Sequence, residues 1–365
     1  MKKEKIMVHR RSEDELHSGF DDNLEPLEPL DLSKISSINE MVIAMGKTAF
    51  SARTLGHAAN ILEKMTKEDV YTVLTLSGAM TIAKMGLVVC DMIDNGMVDA
   101  IISTGALMAH GFVESAGRTH FKYDPSMDDT KLYEYGYNRV YDTLELEKNL
   151  DDAETILDKI LNGFPEGAEI SSAQLHEALG KYLHEKTKDR AILKSAYEKK
   201  IPVYVPAFTD SEFGLDFAIH NKRRMLAKRK PIIFNAFLDL DDYAERIKNQ
   251  KTIGIFTIGG GVPRNWAQQV GPYLDITKKR IAEIKHRDLP KDPANDPYFK
   301  RFKYAVRICP EPVELGGLSG CTYSEGVSWG KIIPREEGGD WAEVYSEATI
   351  AWPLIVKAVM ERLKQ

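Results

Sequence analysis

The chain has few cysteines and no excess of basic residues, and each shortage excludes a class of protein. Its 365 residues include three widely separated cysteines, Cys90, Cys309 and Cys321, and no CxxC pair. This spacing excludes a disulfide framework and a paired-cysteine zinc site, so we expect a reducing compartment and no bound metal. The formal net charge of -6 argues against binding to nucleic acid, because that mode requires clustered lysine and arginine.

Long apolar runs are also missing. No run approaches the roughly 18 apolar residues of a membrane span, and the basic residues at 1–11 are not followed by an apolar segment. We therefore expect a cytoplasmic protein without a membrane partner. The 43% of hydrophobic and 28% of charged residues are typical of a soluble globular chain.

The pattern of apolar residues divides the chain into a short arm and one larger unit. Residues 1–32 mix charges with two prolines and show little periodicity, which predicts a flexible N-terminal arm. Residues 33–365 are predicted to form a single α/β domain, with a mainly helical excursion at about 131–199. Apolar residues at helical spacing from 38 to 65 predict a helical lead-in to this domain.

Short apolar strands alternate with helical segments through the predicted domain. Continuous apolar strands between helices predict a doubly wound, mainly parallel, Rossmann-like sheet with helices on both faces. The predicted strands are 70–76, 98–103, 201–205, 231–238, 252–258, 304–308 and 342–345, and the predicted helices include 80–93, 214–228, 241–248 and 347–363.

Small, hydroxyl-bearing or acidic residues follow four of these strands. Ser77, Thr104, Asp210 and the glycine run 259–261 each come shortly after a strand. Ligands of such sheets bind at the carboxyl ends of strands, where exposed amides and close backbone approach suit a pyrophosphate. A tight turn without a ligand is the alternative at each place, and Arg264 replaces the third glycine of the dinucleotide motif. The four places together predict a nucleotide site.

A lysine near the C-terminus stands close to a carboxylate and an indole. Glu325, Trp329 and Lys331 lie together in the segment 324–332. A lysine amine attacks a carbonyl or imine carbon only when it is unprotonated, so a catalytic lysine requires burial or a neighbouring cation. Trp329 offers a π face and Glu325 a negative charge to a substrate ammonium. The alternative is a strand end with a single lysine that reaches into solvent.

Five short motifs lie, in this order, at 50–56, 95–99, 201–210, 259–262 and 325–331. Together they resemble the motifs of the deoxyhypusine synthase family. The resemblance implies an NAD-binding α/β fold, a homotetramer with active sites between two subunits, and a lysine imine on Lys331 that carries an aminobutyl group. It also implies that Trp329 and Glu325 contact the polyamine. The implied residues of the NAD pocket are Thr104, Gly105, Asp210, Gly259, Gly261, Ser319, Glu347 and Ala348, to which the strand-end pattern adds Ser77.

Several positions depart from the pattern of that family. Ala109 and His110 stand where the family has paired glutamates, and Asn265 stands where it has a histidine. Leu315 and Leu318 replace two aspartates of the eukaryotic members. A neutral amide cannot act as a general base near neutral pH, and each buried ammonium needs a partner. We therefore expect altered recognition of the amines, with His110 and Asn265 as substrate contacts.

These observations predict an NAD-dependent 4-aminobutyl transferase. It would move the group from a polyamine donor to a small amine or diamine, as homospermidine synthase-like enzymes do. Two alternatives stay open, namely a deoxyhypusine synthase that acts on a lysine of a translation factor and a non-catalytic NAD-binding regulatory protein. The presence of Lys331 disfavours the regulatory protein.

Overall fold

The computed structural model describes residues 10–289, 293 and 296–364. The predicted arm is exposed at every residue from 10 to 32, and its residues 1–9 lie outside the described residues. The arm contacts the rest of the chain at Glu28, whose N–H donates to the carbonyl of Lys47 at 3.1 Å and whose carboxylate lies 3.0 Å from the Lys47 amine. In the described part of the chain, no helix has both the length and the apolar character that a membrane span requires.

Strands and helices alternate along the described residues. The strands are β1 (Tyr71–Leu76), β2 (Ala100–Ser103), β3 (Phe121–Lys122), β4 (Tyr137–Val140), β5 (Thr143–Leu146), β6 (Glu169–Ile170), β7 (Val203–Tyr204), β8 (Ile233–Phe234), β9 (Ile253–Ile258), β10 (Tyr304–Ile308) and β11 (Asp340–Val344). The helices are α1 (Ile38–Gly46), α2 (Phe50–Lys67), α3 (Gly86–Asp94), α4 (Gly105–Ser115), α5 (Asp129–Glu134), α6 (Glu147–Asn162), α7 (Ser172–Lys186), α8 (Ile192–Lys199), α9 (Glu212–Leu226), α10 (Ala236–Lys248), α11 (Gly261–Gln268), α12 (Val270–Ile284), α13 (Tyr323–Ser328) and α14 (Ala348–Arg362).

Six strands form a parallel sheet in the order β7-β2-β1-β9-β10-β11. Numbered among themselves along the chain, they follow the order 3-2-1-4-5-6, which reverses between β1 and β9. Leu76 pairs with both Ser103 and Ile258, so the carboxyl ends of β1, β2 and β9 are level. In sheets of this kind, ligands bind in a crevice at the carboxyl ends where the strand order reverses. The predicted parallel sheet is confirmed.

Helices cover both faces of this sheet. Leu74 and Phe256 point to a core that includes α2, α3, α4, α14 and helices of the excursion. We call this side of the sheet the α4 face. Val73 and Ile255 point to a second core, on the other side of the sheet, that includes α10, α11, α12 and α13. We call this side the α11 face. Neighbouring residues of a strand face opposite sides, so a strand covered on both sides is apolar throughout. All of β9 is buried for this reason.

The predicted sheet strand at 231–238 is wrong. Only Ile233–Phe234 is extended, and it pairs with Glu169–Ile170 outside the central sheet. The Asn235 side chain accepts a hydrogen bond from the N–H of Phe237 and caps α10, so the chain turns into a helix at once. Capping by an asparagine immediately after the apolar pair ended the strand early.

Two further expectations need correction. The helix predicted at 80–93 begins only at Gly86, because Lys84 has a left-handed backbone (φ 63°) that interrupts a helix. The excursion at 131–199 contains the predicted helices but also a hairpin, in which β5 pairs antiparallel with β3 and β4. Charged residues in the hairpin, Arg139 and Glu145 among them, obscured its alternating pattern.

Candidate active site

Lys331 follows a short helix, and its backbone is held on both sides. The Thr322 hydroxyl accepts a hydrogen bond from the N–H of Glu325 at 3.2 Å and begins α13. Beyond the helix, the N–H of Lys331 donates to the carbonyl of Gly326 at 3.0 Å, and its carbonyl accepts from the N–H of Phe302 at 2.9 Å. Both main-chain groups of the lysine are thus satisfied and fixed.

The side-chain amine of Lys331 lies in a buried place with a neutral partner. The residue is 8% exposed. Its Nζ donates to Oδ1 of Asn265 at 3.2 Å and lies 5.5 Å from the centre of the Trp329 ring, which is itself 65% exposed. Burial is the main reason that the pKa of Lys331 is lowered, and the charge of Arg264 acts in the same direction against nearby acidic groups. More of this amine is therefore unprotonated near neutral pH than in an exposed lysine.

Two buried arginines hold the loop that precedes α13. The Arg264 guanidinium donates to the carbonyls of Leu318 and Cys321 at 2.8 and 2.7 Å. The Arg307 guanidinium donates to the carbonyls of Ser319 and Cys321, both at 2.8 Å. Charged donors make strong hydrogen bonds when they are buried, so this loop is fixed from two sides. Arg264 links the loop to Lys331 as well, since its charge favours the neutral amine.

The glycine run lies where the strand order reverses. Gly259 and Gly261 have left-handed backbones (φ 74° and 62°), and a Cβ on Gly260 would lie 2.7 Å from Cα of Ser319. The Ser77 hydroxyl donates to the carbonyl of Gly260. Glycine readily adopts the left-handed conformation of Gly259 and Gly261, and at Gly260 its lack of a Cβ allows the close approach to Ser319. Ser77, the glycine run and Ser319 therefore form one group with closely packed backbone at the carboxyl ends of β1 and β9.

Two helix starts meet beside that group. The Thr104 side chain accepts from the N–H of Leu107 at 3.4 Å and caps α4, and Ser211 likewise caps α9. A Cβ on Gly105 would lie 2.5 Å from Cβ of Ser211, so the two helix starts are in close contact. Asp210 is exposed next to them. Helix starts present free N–H groups and partial positive charge, which suit an anionic ligand.

The predicted cofactor residues share the carboxyl edge of the sheet but do not meet at one point. Asp210 follows β7 at one end of the sheet, and Glu347 and Ala348 follow β11 at the other. Five strand spacings of about 4.8 Å each separate those ends, or about 24 Å. Glu347 is the N-cap residue of α14 and Ala348 its first residue. The group around the glycine run is the central part of this long edge.

His110 lies on the α4 face, whereas Lys331 lies on the α11 face. Among the described residues, no hydrogen bond or ion pair joins His110 to Lys331. His110 Nδ1 pairs with Glu145, and its Nε2 lies 3.7 Å from a carboxylate oxygen of Glu212. Burial by itself lowers the pKa of His110, but the two carboxylates outweigh burial and raise it. The structure thus places this predicted substrate contact in a different group from Asn265.

Several of these polar side chains were not predicted from the sequence. They are Arg307, Glu145, His120 and Glu212, and Arg264 was noted only as a departure from a glycine motif. Arg307 had a signal, because it is a charged residue inside the buried strand β10. A charge within an apolar strand requires a partner and marks a contact to look for.

Comparison with known proteins identifies the family of this chain. Residues 40–359 match the family model for deoxyhypusine synthase. The chain belongs to the deoxyhypusine synthase family. "Probable deoxyhypusine synthase 2" of Methanosarcina acetivorans is 32% identical over 348 residues, which are 95% of this chain and 92% of the relative. "Deoxyhypusine synthase-like protein" of Chlorobaculum parvum is 33% identical over 335 residues, 91% of this chain and 88% of the relative.

A solved structure shares the fold. A protein of Entamoeba histolytica, provisionally called a deoxyhypusine synthase, superposes with a TM-score of 0.59 at 14% identity, covering 92% of this chain and 97% of its own. At this identity the likeness shows the fold alone. Membership of the deoxyhypusine synthase family makes the chain a transferase of the deoxyhypusine synthase-like type. Enzymes of this family transfer aminobutyl groups and use NAD.

Proposed function

We propose that this chain transfers a 4-aminobutyl group from a polyamine to a small amine, with NAD as cofactor and Lys331 as carrier. The observation that carries the proposal is the Lys331 amine, which is buried and bonded to the neutral amide of Asn265. A carboxylate partner would keep a lysine protonated, whereas an amide oxygen leaves the neutral amine accessible. A neutral amine is the form that attacks an imine carbon.

Transfer through Lys331 requires two exchanges at one carbon. The Lys331 nitrogen adds to the imine carbon of the oxidised donor, and the rest of the donor leaves as an amine. The butyl group then remains on Lys331 as an imine until an acceptor amine adds to the same carbon and Lys331 leaves. The exposed Trp329 ring and the exposed Glu325 carboxylate are the groups that receive the distal ammonium.

The crevice residues fit a dinucleotide. We infer that the central sheet is a doubly wound, Rossmann-like sheet, because its strand order reverses beside the glycine run. Bound NAD would supply reversible hydride transfer, taking the hydride of the donor carbon and giving it back to the product. The left-handed glycines leave space for close backbone approach, and the helix starts suit phosphate charge. The proposed pocket residues are Ser77, Thr104, Gly105, Asp210, Gly259, Gly261, Ser319, Glu347 and Ala348.

A complete site is proposed to need two copies of the chain. Lys331 and His110 belong to opposite faces of one sheet, so one chain does not bring them to one substrate. We propose a homotetramer in which the α11 face of one chain meets the α4 face of another. The three free cysteines favour a cytoplasmic location.

The acceptor is proposed to be a small amine because the pocket has lost acidic groups. Leu315 and Leu318 are 73% and 45% exposed near the lysine loop, where a carboxylate would hold an extra ammonium. Asn265 is occupied by Lys331. Each ammonium without a carboxylate partner weakens binding of a multiply charged amine. The relatives named deoxyhypusine synthase favour the second candidate, a protein lysine as acceptor.

A competition experiment tests the proposal. Purified protein receives NAD, spermidine, putrescine and a hypusine-precursor protein together, and mass spectrometry follows both products. We expect an aminobutylated small amine that forms only with NAD present. Preferential labelling of the protein lysine would support the second candidate, and no transfer to either acceptor would contradict both.

A further inference from the structure

A buried line of polar side chains lies behind His110. The Glu145 carboxylate, which is 1% exposed, contacts Nδ1 of His110 with one oxygen and lies 3.1 Å from Nε2 of His120 with the other. His120 Nδ1 lies 2.8 Å from the Lys84 amine. Lys84 in turn pairs with Glu114 at 2.9 Å near the surface. The line therefore runs from the surface to the buried end of the His110 ring.

The lysine at the outer end fixes where the protons of this line lie. An ammonium is only a donor, so Nδ1 of His120 must accept from Lys84. The proton of a neutral His120 ring then lies on Nε2, which donates to Glu145. Glu145 accepts from His120 with one oxygen. Its other oxygen lies against Nδ1 of His110 as a close ion pair without the geometry of a hydrogen bond, and this negative charge favours a proton on Nδ1. The remaining nitrogen of His110, Nε2, is the atom that gains or loses a proton.

The same three side chains could be read as a metal site, since donor atoms of His110, His120 and Glu145 lie within 4.8 Å of one another. Histidines that ligate metals usually donate their second N–H to a carboxylate or carbonyl. Here the second nitrogen of His120 faces the cation of Lys84 instead. Lys84 also has a left-handed backbone, which its surroundings must stabilise. These contacts favour a hydrogen-bonded line over a bound cation.

We propose that Glu145 is a positioning residue that keeps a proton on Nδ1 of His110, so that Nε2 exchanges protons with an amine in the active site. This inference rests on the proposed function. His120 and Lys84 act through Glu145. About a tenth of the His110 side chain is exposed, so the ring reaches the surface that the proposed partner copy would cover.

The exchange has a place in amine oxidation. An ammonium must become a neutral amine before hydride leaves the adjacent carbon. The N–H bond breaks, its electron pair stays on the amine nitrogen, and the proton joins Nε2 of His110. Glu145 and Glu212 stabilise the resulting imidazolium.

Carboxylates on two neighbouring elements oppose the effect of burial on His110. Glu145 from β5 and Glu212 from α9 raise the pKa of His110 against the effect of burial. Asp216, one turn beyond Glu212, has a pKa raised to about 6 by burial and by the charges of Glu154 and Glu212. Glu114, on the helix of His110, is paired with Lys84. A raised pKa makes the neutral His110 ring a stronger base towards a substrate ammonium.

The test compares Glu145→Gln with Glu145→Asp in the full-length protein, with Glu198→Gln as control. Glu198 pairs with His184 in an exposed pair of the same chemistry, 2.8 Å apart. A glutamine amide donates to Nδ1 and shifts the proton to Nε2, so we expect Glu145→Gln to lower transfer by about 100-fold or more. Its pH profile should move to lower pH, and Glu145→Asp should recover part of the rate. Glu198→Gln should leave rate and profile unchanged.

Nitrogen NMR of labelled histidines decides the inference without turnover. The expected result is a proton on Nδ1 of His110 in the wild type and on Nε2 in Glu145→Gln. An unchanged tautomer and pH profile in Glu145→Gln, or a stoichiometric metal lost with His120→Gln, would overturn the inference. If Glu145→Gln does not fold, Lys84→Met serves the same comparison through His120. A wild type with the expected tautomer but no aminobutyl transfer would contradict the proposed function and leave the positioning role standing.

Discussion

Lys331 on the α11 face and His110 on the α4 face are both buried bases, yet their pKa values move in opposite directions. Burial lowers the pKa in each case. Lys331 has the neutral Asn265 as its partner, so the lowering persists. His110 has carboxylates as partners, and their charges reverse the effect. The partner, more than burial, thus decides in which direction the pKa of a buried base moves.

Removing the amine at Lys331 is expected to have the largest effect. Lys331→Arg keeps a positive charge but stays protonated, so transfer should fall by at least about 10³-fold. Stopped assays with mass spectrometry measure the loss. Lys300→Arg is the matched control, because burial also lowers the pKa of Lys300 but that residue lies outside the segment 324–332. Equal losses in both variants would contradict a special role for Lys331.

Removing the carboxylate partner of His110 should weaken the fold. Glu145→Ala leaves two buried histidines without their anion and should lower the free energy of unfolding by about 3 kcal/mol. Urea unfolding measures this change, and Glu198→Ala should cost less than about 1 kcal/mol because its pair is exposed.

The pH dependence of that destabilisation follows from the signs of the two shifts. The pKa of Glu145 is lowered to about 2, since its histidine partners outweigh burial, so its contribution is present above the ordinary glutamate pKa and fades as pH falls towards 2. The pKa of His110 is raised, so its contribution is complete below the ordinary histidine pKa and is lost as pH rises through the raised value. The difference between wild type and Glu145→Ala should be largest between about pH 4.5 and 6.5. A difference that grows from pH 6 to pH 9 would contradict this pairing.

A substitution in the glycine run is expected to have a smaller effect, which is limited to the affinity for NAD. Gly261→Val should weaken NAD binding by about tenfold or more, because a side chain there strains a left-handed residue and enters the crevice. Gly338→Val is the control, since Gly338 is also left-handed (φ 87°) but a Cβ there meets nothing within 4 Å. If folded Gly261→Val protein binds NAD as tightly as the wild type, the glycine run does not contribute to the NAD site.

The contrast between the two bases is tested by giving Lys331 a carboxylate partner, as His110 has. Asn265→Asp places a carboxylate beside the amine and should raise the pKa of Lys331, because a negative charge stabilises the protonated form. Transfer at pH 7 should fall about tenfold and recover at higher pH. The exposed Asn249→Asp should leave the pH profile unchanged. A profile for Asn265→Asp that matches the wild type would show that the partner does not control the amine.

Apolar patterns along the sequence predicted most of the sheet, because a buried parallel strand is apolar throughout. The glycines and hydroxyls after the strands could be located from the sequence, whereas their role in binding a cofactor stays a prediction. Capping by Asn235, the turn at Lys84 and the charged hairpin around Glu145 were not predicted. Each depends on one local hydrogen bond or on contacts distant in sequence, which an apolar pattern does not record. The partition of Lys331 and His110 between two faces required the three-dimensional structure.

The most direct test of the account is to trap the carrier on Lys331. Wild-type protein is incubated with NAD and spermidine, reduced with borohydride and digested, and the mass of the peptide containing residue 331 is measured. The account predicts an added aminobutyl group on Lys331 that is absent without NAD and increases as pH rises through the lowered pKa of the amine. An unmodified Lys331 under conditions in which the protein transfers the group would contradict it.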